Sequence, residues 1–600
     1  MKNPPDATPP EAGQPDARDL SIKFTIIFGL FALIPLVLMY HFASIRRVPE
    51  APEKNAASGA AAPAVAFKNI TAKAGVDFSR QSGATGEKLL PETMGSGCAF
   101  FDFDGDGDQD ILLVNSTAWP GSTNSPASSA LYENLGNGRF KNVTAGSGLE
   151  APLYGMGVAV GDYDNDGRVD VFLTGVAGNR LFHNEGAGKF RDVTTQANVA
   201  GGEWSTSAGF LDYDNDGDLD LFVCNYVKWS RDLDLQVDYR LAGVGRAYGP
   251  PMNFAGAFPY LYRNDGGGHF TEVAAQAGLQ VRNKATGLPL GKSLGVAPAD
   301  LDNDGWIDLI VANDTVQNFV FRNERNGTFR EVGASSGLAF DPYGSARGAM
   351  GIDTGRFQDE NTLGISIGNF ANEMTALYVQ QDAMLFSDEA ISQGIGQASR
   401  TLLTFGVFFF DYDLDGWLDL LTVNGHIEPE ISKVSPLQSY PQAAQLFWNT
   451  RGQGKKSGFI PVSSERAGKD LFEPAVARGS AFADFDGDGD LDVLITQAAG
   501  PARLLRNERK PDTRWARLKL VGTKSNRDAI GAIIKARVGP HTVTRQVMPT
   551  RGYLSQSELP VTIGFGRASS IDEAVIVWPG GTRQTVKNIA PGKLTIVTEP

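Results

Sequence analysis

The sequence predicts an all-β protein: a seven-bladed β-propeller with a small C-terminal β domain, preceded by an N-terminal transmembrane helix. Three observations predict the propeller. A nine-residue pattern, Asp-x-Asp-x-Asp-Gly-x-x-Asp, occurs six times. Each copy runs into a short apolar segment such as Ile111-Leu-Leu-Val114, Leu221-Phe-Val-Cys224 or Val493-Leu-Ile-Thr496, which reads as a strand after a tight turn. The first and last repeats are each half a unit, so they complete one another if the array closes on itself.

Taken in order, residues 1–20 are Pro- and Asp-rich and read as a disordered tail. Residues 21–42 are the expected membrane anchor. Phe24 to Phe42 is 19 residues free of Asp, Glu, Lys and Arg, nearly enough for a hydrocarbon core of ~30 Å. Phe42-Ala-Ser-Ile-Arg-Arg47 makes a poor signal-peptide cleavage site. Flanking Lys and Arg are balanced, so charge bias does not set the orientation. Residues 43–64, rich in Ala and Pro, suit a tether. Residues 65–510 hold the repeats, and 511–600, where the acidic loops stop, read as a separate small β domain.

The acidic loops carry the chemistry. They hold Asp102, Asp104, Asp106 and Asp110; Asp162, Asp164, Asp166 and Asp170; Asp212, Asp214, Asp216 and Asp220; Asp300, Asp302, Asp304 and Asp308; Asp411, Asp413, Asp415 and Asp419; and Asp484, Asp486, Asp488 and Asp492. Four carboxylates in nine residues repel one another unless a hard cation gathers their oxygens, which Ca2+ does in flexible geometry. Positions 1, 3, 5 and 9 would ligate through side chains. Position 7 would ligate through its backbone carbonyl, at Asp108, Arg168, Asp218, Trp306, Trp417 and Asp490. The glycine at position 6 supplies the turn. An EF-hand is excluded, because it needs a bidentate Glu at position twelve. That place is taken by Leu113, Leu173, Val223, Val311, Thr422 and Ile495.

Loop starts are spaced 60, 50, 88, 111 and 73 residues apart. The 111 hides a repeat. Strands after the loops end in Asn115, Asn225, Asn313 and Asn424, and Asn369 fits the same ending, which places a degenerate loop at Arg356–Gly364. Arg356 replaces the first Asp and is expected to set its guanidinium where a cation would lie, with Glu360 as its partner. This gives seven repeats and six ions. The 88 contains an insertion from Trp229 to Tyr262, carrying Trp229, Tyr239, Tyr248, Phe254 and Tyr260. It reads equally as a recognition surface or as packing across a blade. A second signature, Leu131-Tyr-x-Asn134 with Phe140, returns as Leu181-Phe-x-Asn184 with Phe190 and as Leu261-Tyr-x-Asn264 with Phe270. The chain opens on Phe67-Lys-Asn-Ile-Thr71 and closes the series on Leu504-Leu-Arg-Asn507, the two halves that a ring would join. An open solenoid would need caps.

The formal net charge of −15 argues against nucleic acid, and six Ca2+ would bring it to −3. Cys98 and Cys224 lie in different repeats and read as buried thiols. His426 reads as a buried or turn-stabilising residue. There is no transition-metal cluster, nucleophile elbow or phosphate loop. Catalysis by the loop carboxylates is not expected, since a cation would hold them ionised.

The repeats resemble FG-GAP/VCBS repeats, also seen in the integrin α-subunit propeller. Leu90-Pro-Glu-Thr-Met-Gly95 and Asn424-Gly-His426 resemble the cartilage acidic protein 1 family. Asn526-Arg-Asp-Ala-Ile-Gly-Ala532, Gly552-Tyr-Leu-Ser-Gln556 and Val577-Trp-Pro-Gly580 resemble its ASPIC/UnbV domain. The resemblance spans about residues 65–595 and implies an extracytoplasmic, calcium-binding, non-catalytic protein. Arg527, Arg551 and Gln556, within those motifs, would bind a ligand or brace the domain. The expected function is a binding or adhesion module for an envelope or extracellular protein or glycan. The rivals are a polysaccharide-active enzyme and an envelope assembly factor.

Overall fold

A computed structural model describes residues 61–119, 127–453, 458–509 and 512–600. The expected tail and membrane span, and the linker up to residue 60, lie outside the described residues. Among the described residues no helix is long and apolar enough to cross a membrane.

Each acidic loop turns the chain between two antiparallel strands. In the first sheet Cys98–Phe101 pairs with Asp110–Leu113, followed by Ala130–Asn134 and Phe140–Asn142. Five further sheets of four strands follow in chain order, opening on Gly155–Gly161, Ser205–Leu211, Ser293–Ala299, Ala349–Gly355 and Thr404–Phe410. The fifth contains the degenerate loop, between Ala349–Gly355 and Gly364–Asn369. A seventh is made of Ala477–Ala483, Asp492–Gln497 and Arg503–Asn507, and Phe67–Asn69 completes it, with Phe67 opposite Asn507. The first strand of each sheet packs beside the first strand of the next, and the seventh beside the first. The array is therefore a closed, propeller-like ring rather than an open solenoid.

The middles of the second strands are mainly apolar because both faces are covered. Ile111 and Leu113 pack with Ala481, Phe485 and Leu494 of the seventh sheet, while Leu112 and Val114 pack with Val158 and Val171 of the second. Cys98 and Cys224 are both free and buried.

At the C-terminus Trp515–Val521 lies between Val561–Gly564 and Leu594–Thr598, and Ile533–Val538 lies between His541–Gln546 and Ile571–Val577, with Arg583–Ile589 outermost. Between the two sheets the chain sends out a hairpin, Thr550–Arg551 with Ser555–Gln556, into the middle of the ring. Gln556 pairs in parallel with Ala99 of the first sheet. Val158 of the second sheet donates its N–H to Leu554 O at 3.2 Å, and Gly552 exchanges two backbone hydrogen bonds with Ile352 of the fifth. Room for this comes from glycine: a Cβ on Gly97 would stand 2.1 Å from Leu554 O. Arg551 and Gln556 brace the hairpin. Arg551 Nη1 meets Asp353 Oδ1 at 2.8 Å, and Gln556 Nε2 donates to Val158 O and Ala208 O.

Candidate metal centres

The six intact loops share one geometry. Glycine at position 6 has φ of +97, +92, +95, +87, +97 and +88° in chain order, the left-handed region the turn demands. The carboxylate at position 1 accepts that glycine's N–H in all six loops, as in Asp212 Oδ2 from Gly217 at 3.0 Å, Asp300 Oδ2 from Gly305 at 2.9 Å and Asp102 Oδ2 from Gly107 at 3.2 Å. The carboxylate at position 5 accepts the position-7 N–H, as in Asp304 from Trp306 and Asp415 from Trp417.

Position 9 fastens the loop to the sheet. Asp308 Oδ2 accepts from Leu301 N at 3.0 Å, and its Oδ1 from Asn323 N at 2.8 Å. Asp110, Asp170, Asp220, Asp419 and Asp492 repeat the arrangement with Asn134, Asn184, Asn264, Asn449 and Asn507. The asparagine side chain then reaches the preceding sheet: Asn323 Nδ2 donates to Tyr213 O at 2.7 Å, in the loop before its own. In the fifth sheet Gln380 does this work, donating to Leu301 O at 2.7 Å. The sequence signature Leu-x-x-Asn is thus a tie between neighbouring sheets.

Carboxylate oxygens converge in these loops. Asp102, Asp104 and Asp110; Asp162, Asp164 and Asp170; Asp212, Asp214 and Asp220; and Asp300, Asp302 and Asp304 each bring three oxygens within 4.8 Å of one another. His183, missed in the sequence, joins Asp164 and Asp166 in such a group; its Nδ1 lies 3.3 Å from Asp164 Oδ2 and 3.3 Å from Asp170 Oδ1. Its only sequence signal was its place just before Asn184. That place carries Arg322 in the fourth sheet, 2.8 Å from Asp302, and Trp448 in the sixth, whose Nε1 meets Asp413 at 3.1 Å.

Whether these residues fit a hard cation is decided by oxygens left over. Asp214 Oδ1, Asp302 Oδ1, Asp411 Oδ1, Asp484 Oδ1 and Asp486 Oδ1 are buried without a hydrogen-bond partner. All lie at positions 1 or 3, where a buried orphan acceptor costs about 1–3 kcal/mol unless something coordinates it. Burial, reinforced by neighbouring carboxylates, pushes Asp162 up to about 8, Asp212 to about 7 and Asp413 to about 7. A divalent ion would reverse that push, and a set of carboxylate and carbonyl oxygens suits Ca2+.

The degenerate loop also lacks the turn: no residue from Arg356 to Gly364 has positive φ. Its pairing is corrected. Arg356 donates through Nη2 to Asn303 Oδ1 at 3.2 Å in the fourth loop, within the field of Asp300, and not to Glu360. Glu360 instead offers its carbonyl to Thr544 Oγ1 at 3.1 Å.

The C-terminal domain lies on the acidic-loop side. Lys519 meets Asp102 at 3.3 Å, Arg517 meets Asp484 at 2.9 Å and Arg545 meets Asp411 at 3.6 Å. Arg527 N donates to Asn165 Oδ1, and Asp528 accepts from Asp162 N. The Trp229–Tyr262 insertion joins the second and third strands of its sheet, so it emerges at the opposite side. It packs there: Asp234 Oδ2 accepts from Leu90 N, and Tyr248 OH donates to Glu92 Oε2 at 3.3 Å. Tyr553 of the hairpin donates from below to Met94 Sδ. At the edge of the insertion is an aromatic cleft, where Trp119 stacks on Tyr154 at 3.9 Å with Trp229 and Trp204 beside them. His426 is buried: its Nδ1 accepts from Glu428 N at 3.0 Å, and burial and Arg478 push it down to about 4.

Residues 522–600 match the ASPIC and UnbV family model, and residues 102–173, 162–223, 249–311 and 300–357 match the FG-GAP-like repeat. The chain is 27% identical over 342 residues to cartilage acidic protein 1 of Xenopus tropicalis, covering 55% of this chain and 47% of that protein. It is 27% identical over 341 residues to the Homo sapiens protein, covering 55% and 46%. It therefore spans about half the length of the curated relatives it matches. Among solved structures, it is similar to an Agrocybe aegerita protein described as recognising non-reducing terminal N-acetylglucosamine. The TM-score is 0.37 at 15% identity, over 64% of this chain and 88% of that one. It is also similar to rhamnogalacturonan lyase YesW, with a TM-score of 0.33 at 12% identity over 68% and 71%. Likenesses this loose identify no ligand.

Proposed function

The chain is an FG-GAP-repeat protein with a C-terminal ASPIC/UnbV domain, and from that premise we propose that it is a non-catalytic binding or adhesion module. In this reading the seven sheets are the blades of a propeller, Ca2+ pins six of the loops, and 21–42 anchors the ring outside the cytoplasm. External calcium is plentiful enough to load weak sites. The partner is a protein or glycan of the envelope or extracellular space.

One observation carries the reading. The hairpin at 548–558 fills the centre of the ring, while the C-terminal domain lies over the acidic loops. This leaves the insertion side, with its aromatic cleft, as the concave surface open to a partner. Ligand sites favour concave apolar walls with a few polar groups, and Trp229, Lys228 and Glu203 supply both kinds. The test is affinity capture from native envelope extract with residues 60–600, in calcium and in chelator. Capture that needs calcium and is lost in Trp229→Ala supports the module; capture indifferent to both removes the cleft from the reading.

A second reading, a glycan-active enzyme, draws on Glu92. Its Oε1 is buried without a partner, and burial pushes its carboxyl up to about 7, a range suited to a general acid. Turnover of a purified glycan that Glu92→Gln abolishes would favour it.

A further inference from the structure

We propose that cations at the sixth and seventh loops, Asp411–Asp419 and Asp484–Asp492, latch the C-terminal domain and its hairpin into the ring. The inference rests on the calcium reading above and assigns two of those ions a task beyond their own blades.

At these two loops the first carboxylate is divided. Asp484 gives Oδ2 to Arg517 Nη1 at 2.9 Å and to Gly489 N at 3.0 Å, while Oδ1 is buried with no hydrogen-bond partner. Asp411 repeats the division: Oδ2 faces Arg545 Nη2 at 3.6 Å and accepts from Gly416 N at 3.0 Å, and Oδ1 is again orphaned. In the second, third and fourth sheets, by contrast, Oδ1 of Asp162, Asp212 and Asp300 accepts the position-5 N–H.

Arg517 reaches the hairpin itself, and Arg545 lies on the strand His541–Gln546 just before it. Arg517 also pairs with Glu558 at the hairpin's base, and all three groups are buried. Arg545 donates in addition to Gly416 O at 3.1 Å, inside the sixth loop. A cation taking up Oδ1 holds one end of a carboxylate whose other end holds the domain. Without it, the remaining buried carboxylates of the loop repel Asp411 or Asp484, and the position of the arginine's acceptor is no longer fixed. Removing one partner of a buried ionic cluster is costly because the others stay buried and uncompensated.

Hydrogen exchange read by mass spectrometry on the full chain in detergent tests this, in calcium and in chelator. Gly552, Ser557 and Glu558 donate to Ile352 O, Pro549 O and Phe482 O. Chelation should speed exchange across 548–558 roughly tenfold or more, which corresponds to about 1.4 kcal/mol of local opening. With calcium present, Asp486→Asn in the seventh loop should do the same, whereas Asp214→Asn, the matching position in the third, should not. Arg545→Gln should loosen the hairpin and leave the number of bound ions unchanged. The proposal is overturned if the amides of Gly416 and Gly489 lose protection on chelation while 548–558 keeps it. Equal effects from the two aspartate variants, or an unmoved hairpin in Arg545→Gln, overturn it too. If chelation moves no amide anywhere, the calcium reading itself falls.

Discussion

Asn264 donates through Nδ2 to Leu219 O at 3.1 Å and to Tyr163 O at 2.8 Å, and its Oδ1 accepts from Gly266 N at 3.0 Å. Three backbone groups in two sheets thus depend on one small side chain. Asn264→Ala leaves them orphaned, two in the interior, and should cost about 2–4 kcal/mol in urea unfolding; a loss below about 0.5 kcal/mol would contradict the tie. Glu92 carries the opposite kind of burden. Its carboxyl is held up at about 7 in the fold, by burial first, against an ordinary value of 4.5. Between those values the unfolded chain has released the proton and the folded chain has kept it, so the contribution of Glu92 to stability falls as pH rises from about 4.5 to about 7. Glu92→Gln does not titrate. Its stability relative to the parent should therefore climb across that window by on the order of 2 kcal/mol. A flat difference would mean that the carboxyl is already ionised in the fold.

The closing strand Phe67–Asn69 is short, yet it covers the edge of Arg503–Asn507 and sends Phe67 in against Phe410 and Tyr412. A chain lacking residues 61–70 should unfold at lower temperature and aggregate, because the seventh sheet then exposes an unpaired edge. Light scattering during a thermal scan checks this, and an unchanged transition would place the closure elsewhere. This element was legible in advance because a half-unit at each end of a repeat array has one economical solution. The degenerate loop was legible too, since the doubled spacing and the strand-end Asn369 betrayed it, although Arg356 bonds across to Asn303 rather than within its own loop. Spacing reports where a loop lies and not which neighbour faces it. The central hairpin was not legible, although bracing was one of the two roles expected of Arg551 and Gln556. Arg551 and Gln556 are polar, and polarity normally marks a surface; here their partners are Asp353 and backbone carbonyls of distant strands, which no local pattern announces.

At the scale of the whole molecule, the loops, the sheet ties and the C-terminal domain bear on one another, so the metal should act on all of it. A site held at about 100 times its Kd adds about 2.7 kcal/mol to the folded state, and six such sites would add about 16. Unfolding entropy of about 2.1 cal/mol/K per residue, over a compact unit from Ala62 to Pro600, makes each kcal/mol worth roughly one degree. Chelation should therefore lower the melting temperature by roughly 15 degrees, with calcium restoring it. Magnesium at equal concentration should restore less, because it demands tighter octahedral geometry and gives up its water reluctantly. Mass measurement of the intact protein under native conditions should count six ions. A seventh would put a cation on the loop that carries Arg356, and a melting temperature indifferent to chelator would leave the buried oxygens of Asp214, Asp302 and Asp486 to be satisfied by something other than metal.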